Sequence, residues 1–299
     1  MSLAEAGRAV TRFHFDHLLA NEAGTIEGSD PEALHDMRVA TRRLRAAMRA
    51  FRVALPADSL AALAEDVRWL AERLGRVRDF DVFLLWLQGY GRRTGVAARP
   101  AVHAVVEEMR AAREHDRQAL LEALTSDRYA RFKESFAVFL DAGSVPDDEA
   151  TDAPSIVDFA AAAVRRQLRD VRRWARRASS RKRPDPDHLH RLRIAAKRLR
   201  YTCEFFASLF DERLSNVIAD GVALQDALGA MRDAHLQAAR LEALRSPTAD
   251  SLIRRAALSR MIAALERLQG EQLKAYRRLC PRLTTKKARR RAKHLLGQG

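Results

Sequence analysis

Apolar and charged positions along this chain repeat with a helical rhythm nearly from end to end. Apolar residues recur every three or four positions, and the periodic stretches are separated by Gly, Pro and polar clusters. The pattern predicts helices over 2–21, 31–54, 59–75, 78–92, 97–125 and 127–141. It resumes over 155–178, 187–210, 212–228, 231–245 and 248–280. Hydrophobic residues make up 47% of the chain, chiefly Ala and Leu, with few β-branched residues, 13 Gly and 9 Pro. Such usage favours helix over strand, so the expected fold class is all-α.

The periodicity is most one-sided between residues 35 and 52. His35, Arg38, Arg42, Arg45, Arg49 and Arg52 follow one another at intervals of 3, 4, 3, 4 and 3, which places them on one helical stripe. Met37, Leu44, Met48, Phe51 and Leu55 keep the same rhythm on a face roughly 100° away, so one face packs and the adjacent one is cationic. From Met37 to Ala57 there are six Arg and no acid. Like charges one turn apart repel by about 0.2–0.5 kcal/mol per pair, so the row opposes its own helix by on the order of 1–2 kcal/mol. An anion along the stripe reverses that sign, because each guanidinium can bind phosphate through two charge-assisted bonds. The competing explanation is that Glu65, Asp66, Asp79 and Asp81 on neighbouring helices neutralise the stripe.

The same pattern occurs twice. Residues 30–45 (DPEALHDMRVATRRLR) and 185–200 (DPDHLHRLRIAAKRLR) are identical at nine of sixteen positions, 155 residues apart. His190, Arg193, Lys197 and Arg200 repeat the stripe, beside Leu189, Leu192, Leu199 and Phe206. Each copy opens with Asp-Pro, an N-cap acceptor followed by a residue that needs no donor, and Ser29 with Glu32 also fits a capping box. A second pair, LGRVRD at 74–79 and LGAMRD at 228–233, reads as a helix ending at Gly before a new helix with Arg78 or Arg232 at its start. The chain is thus expected to hold two similar halves, 1–141 and 155–283, as antiparallel helical bundles. The acidic, proline-containing stretch 142–154 reads as a linker and 284–299 as a basic tail.

The formal net charge is +15, carried mainly by Arg, which points to a polyanionic partner. The charge is unevenly shared: residues 1–150 hold 21 Lys and Arg against 24 Asp and Glu, whereas the remainder hold 33 against 15. Cys203 and Cys280 lack metal or redox spacing and read as buried thiols of a reducing compartment. His14 and His17 stand one turn apart without a third ligand, so no metal is expected. With no apolar run approaching ~18 residues, the expectation is a cytoplasmic chain without a membrane span.

The two H-x-φ-R-φ-A-x-[RK]-R-L-R helices and the two L-G-x-φ-R-D junctions resemble the CHAD family, named for its conserved histidines in an α-helical domain. The resemblance covers about residues 3–283. It implies a single domain over 1–283, built of two bundles related by a pseudo-twofold axis, with the basic helices lining a groove or pore that binds inorganic polyphosphate. It also implies association with polyphosphate granules. The ExExK motif of a fused triphosphatase is missing from the sequence. Matched by position, His35, Arg38, Arg42, Arg45, His190, Arg193, Lys197 and Arg200 form the implied anion-binding set. Arg49 and Arg52 extend the first stripe, while the second copy has Glu204 and Ala207 there. Arg78 and Arg232 are implied rim contacts, with Arg12 and Arg166 as further members.

Three functions compete. The first is non-enzymatic polyphosphate binding without a cofactor. The second is weaker nucleic-acid binding by the same basic surface, disfavoured by the few aromatics and the lack of a recognition motif. The third is phosphoryl transfer through His35 or His190, disfavoured by the missing P-loop and Mg²⁺-holding carboxylate cluster.

Overall fold

The computed structural model describes residues 1–142, 155–179, 184–245, 251–288 and 290. Every regular element among them is helical, as the periodicity predicts. The chain divides into two compact units, Met1–Ala153 and Pro154–Gly299. The linker proposed at 142–154 and most of the tail at 284–299 lie outside the described residues.

The first unit contains α1 (Leu3–Ala20), α2 (Glu22–Glu27), α3 (Pro31–Ala50), α4 (Ala57–Arg93), α5 (Arg99–Leu124) and α6 (Asp127–Asp141). Helix α3 packs between α1 and α4, α4 also packs on α5, and α6 closes against α1, α4 and α5. The apolar face of α3 supplies the centre: Met37, Leu44 and Phe51 are fully buried, and burial of side chains this size contributes roughly 1.5–3 kcal/mol each. Phe51 fits because Gly7 of α1 is bare, since a Cβ there would stand 2.8 Å from the Phe51 Cβ. Phe15 of α1 stacks on Phe136 of α6 with centroids 4.5 Å apart. Helix α2 ends at Gly28 in the left-handed region (φ 76°), and Arg117 of α5 donates to the carbonyl oxygens of Ile26 and Glu27 at 3.0 Å each.

The second unit contains α7 (Ile156–Ser179), α8 (Pro186–Phe205), α9 (Ser215–Ala243) and α10 (Leu252–Thr284). Consecutive helices pack on one another and α10 returns to α7, closing a four-helix ring. Leu192, Leu199, Leu224, Leu258, Met261 and Leu265 fill its core. Cys203 and Cys280 are buried and unbridged, and burial pushes the Cys203 thiol up to about 12.

Several boundaries differ from the sequence expectation, among them the end of α8 at Phe205 rather than 210 and the span of α10, Leu252–Thr284 rather than 248–280. Helices 59–75 and 78–92 are one 37-residue helix, α4, roughly 55 Å long, and 212–228 and 231–245 merge into α9 after a short 3₁₀ turn at Asp211–Leu214. Gly75 and Gly229 therefore lie inside helices, where each costs about 1 kcal/mol that packing on neighbouring helices offsets. Helix α3 stops at Ala50 rather than 54, with Phe51 as its C-cap, and the chain then turns through an Ala54 N–H to Phe51 carbonyl bond of 2.9 Å. The capping box read at Ser29 is replaced by Asp30 alone, whose Oδ1 accepts from the Glu32 N–H at 2.8 Å. Asp185 does the same for α8, accepting from Asp187 N–H at 2.9 Å.

Candidate anion-binding site

The Asp-Pro start fixes where each basic helix begins, and its buried apolar face fixes its rotation. Together these decide where the cations go. With Met37, Ala40, Leu44 and Ala47 turned into the first unit, His35, Arg38, Arg42 and Arg45 lie half-buried at the edge of the packed face, and Arg49 is exposed. Arg52 falls in the turn after α3 rather than on it. In the second unit Leu192, Ala195, Ala196 and Leu199 are buried, and His190, Arg193, Lys197 and Arg200 take the same half-buried positions on α8.

The second-stripe histidine faces an arginine from the next long helix. Arg232 Nη1 of α9 lies 3.2 Å from His190 Nδ1. Because a guanidinium only donates, this contact has Nδ1 accept and leaves the ring proton on Nε2. Burial lowers the His190 pKa, and the cationic Arg232 and Arg193 lower it further. His35 is lowered in the same way by burial and then by Arg78 of α4, with Glu32 and Asp36 pulling the other way. In both rings the surroundings favour the neutral form. Arg78 and Arg232 sit mid-helix, which corrects the expectation that each stands at a helix start. Gly75 has a role in this arrangement: a Cβ there would stand 3.1 Å from Arg38 Nη1, so the missing side chain lets Arg38 lie against α4.

Three of the four acids expected near the first stripe pair with arginines outside it. Glu65, Asp66 and Asp81 pair with Arg68 (2.6 Å), Arg128 (2.7 Å) and Arg113 (2.6 Å), none of which belongs to the stripe. Asp79 does approach a stripe residue, with its Oδ1 3.6 Å from Arg38 Nη2. Arg45, Arg49 and Arg52 line an open depression of about 510 Å³ together with the paired Arg68 and Glu65 of α4, and its lining also includes Met48 and Leu60. Arg68 was not anticipated, because nothing in the sequence links it to α3.

The second stripe is built differently at its far end. Glu204 occupies the position of Arg49, and its Oε1 accepts from Arg200 Nε at 2.6 Å, with both side chains about four-fifths buried. Arg200 therefore has an internal partner at its place in the expected anion-binding set. The spacing of four residues carried this signal in the sequence. Arg12, on α1, is bound to Asp141 of α6 at 2.5 Å, which makes it a bundle contact. Arg166 is exposed on α7.

The profile of the CHAD domain matches residues 9–242 of this sequence. The chain belongs to the CHAD domain family. Solved structures agree with that assignment. The CHAD domain from the plant Ricinus communis is similar over 94% of this chain and 92% of its own, with 28% identity and a TM-score of 0.74. PptA from Streptomyces chartreusis is similar over 92% of this chain and 98% of its own at 20% identity and a TM-score of 0.72, a likeness of fold. A comparison with curated proteins finds no match. Among the described residues of this CHAD domain, no helix is long and apolar enough to cross a membrane.

Proposed function

We propose that this CHAD domain is a non-enzymatic module that binds inorganic polyphosphate along α3 and α8, in the cytoplasm and at polyphosphate granules. The observation that carries the reading is the repeated placement of a histidine and three cations half-buried along one edge of α3 and again of α8, with an arginine of the next long helix, Arg78 or Arg232, acting electrostatically on each histidine. A phosphate oxygen arriving there accepts from both, and its charge offsets the mutual repulsion of the row. It also reverses the pKa shift of the ring, so binding takes up protons. The pseudo-twofold relation and common groove implied by the resemblance belong to the same proposal.

The test is a titration of long-chain polyphosphate against the full chain at moderate salt, with Arg42→Glu plus Lys197→Glu as the variant. Saturable binding that falls with salt and is lost in the variant supports the reading. No binding, or binding indifferent to the variant, overturns it.

A further inference from the structure

The strongest feature outside the stripes is an aromatic and cationic cluster in the second unit. Trp174 of α7 is half-buried, and three guanidiniums lie over its ring: Arg177 at 4.9 Å, Arg191 of α8 at 5.0 Å and Arg173 at 5.3 Å. The His188 ring stands beside it with centroids 6.0 Å apart. The three arginines are solvent-exposed, and residues 171–179 contain four Arg and no acid. Arg173 is paired with Asp170 at 2.9 Å.

Two comparisons separate this cluster from an ordinary structural contact. In the first unit Arg128 lies 4.4 Å over Trp69, but Asp66 holds that guanidinium with two hydrogen bonds of 2.9 and 2.7 Å, a closed arrangement. At the positions of the first copy that match Arg173, Trp174, Arg177 and Arg191 by the duplication offset, the chain has Leu19, Ala20, Ala23 and Asp36. The cluster is therefore a property of the second half alone and is independent of the repeated stripe.

We infer that the α7–α8 corner around Trp174 binds single-stranded nucleic acid. Exposed guanidiniums gathered at an indole combine donors for phosphate with flat surfaces on which a base can stack. Inorganic polyphosphate uses only the first property. Single-stranded RNA or DNA uses both, since every base has a face to stack and every linkage a phosphate to bind. This inference does not rest on the polyphosphate reading.

The test uses the full chain and a fluorescein-labelled oligouridylate followed by anisotropy. Trp174→Ala weakens oligouridylate binding by roughly 5- to 100-fold, the range expected for loss of stacking on one aromatic residue, and Trp174→Phe restores most of it. Neither variant changes inorganic polyphosphate affinity by more than about twofold, whereas Arg42→Glu with Lys197→Glu leaves oligouridylate binding intact. Circular dichroism confirms that each variant is folded, and Trp174→Phe carries the test if Trp174→Ala is not. The inference is overturned if Trp174→Ala leaves oligouridylate affinity unchanged. It is equally overturned if the substitution weakens both ligands alike, or if duplex DNA competes as well as the single strand at equal phosphate.

Discussion

Replacing Glu204 tests whether the stripes bind phosphate one arginine at a time. The carboxylate of Glu204 lies 2.6 Å from Arg200 Nε and occupies the place that Arg49 takes in the first unit. Glu204→Gln removes the charge partner and releases one cation, while Glu204→Arg releases Arg200 and adds a second. Each phosphate neutralised adds about 0.7 to the slope of log K against log salt for a single-stranded polyanion, so at about 0.1 M salt each new contact strengthens binding roughly fivefold. The expected gains are therefore about fivefold for Glu204→Gln and about 25-fold for Glu204→Arg, with slopes steeper by about 0.7 and about 1.4. Folding stability falls by about 1 kcal/mol in Glu204→Gln through loss of a partly buried pair. Isothermal titration of long-chain polyphosphate at several salt concentrations reads both quantities. Equal slopes for wild type and Glu204→Arg would refute the idea that α8 contributes contacts one cation at a time.

Further outcomes follow from the geometry. The pKa values of His35 and His190 are lowered in the free protein and rise on contact with phosphate, so polyphosphate affinity increases as pH falls below about 6.5. The double substitution His35→Ala and His190→Ala flattens that dependence in the same titration, and an unchanged profile would remove the histidines from the site. His14 is buried and its pKa is lowered to about 4, chiefly by desolvation and then by Arg43 and His17. The folded state binds fewer protons there than the unfolded one, so stability is lost as pH falls from about 6.5 to 4, by about 3 kcal/mol in full. Urea unfolding at stepped pH should show that loss shrink in His14→Phe. Gly229→Ala meets no atom within 4 Å and stabilises the protein by roughly 0.5–1 kcal/mol in chemical denaturation, whereas a helix end at Gly229 would make it destabilising. Gly7→Ala drives a Cβ into Phe51 and costs roughly 1–3 kcal/mol by the same measurement.

What the sequence made legible was what depends on neighbours a few residues apart. The buried face of α3 follows from the spacing of Met37, Leu44, Met48 and Phe51, and the helix starts follow from Asp30-Pro31 and Asp185-Pro186. The i,i+4 pair Arg200–Glu204 was equally local, yet the identity of the repeats drew Arg200 into the anion set. Features set by tertiary contact were not legible. Gly75 has the sequence context of a helix end, and only the approach of Arg38 across the helix pair shows why glycine sits mid-helix. The place of Arg68 in the depression depends on how α4 lies against α3, and the pairing of Arg12 depends on α6 returning more than a hundred residues later.

The unbroken course of α4 and α9 has a consequence for how such a domain diverges. With no joint at Gly75 or Gly229, Arg78 and Arg232 ride on continuous helices, so under the proposed function capture of an anion would order side chains and little backbone. Grip would then be strengthened or relaxed by single codon changes on a scaffold that stays put. The exchange of Arg49 for Glu204 between the halves would be two settings of that dial within one molecule.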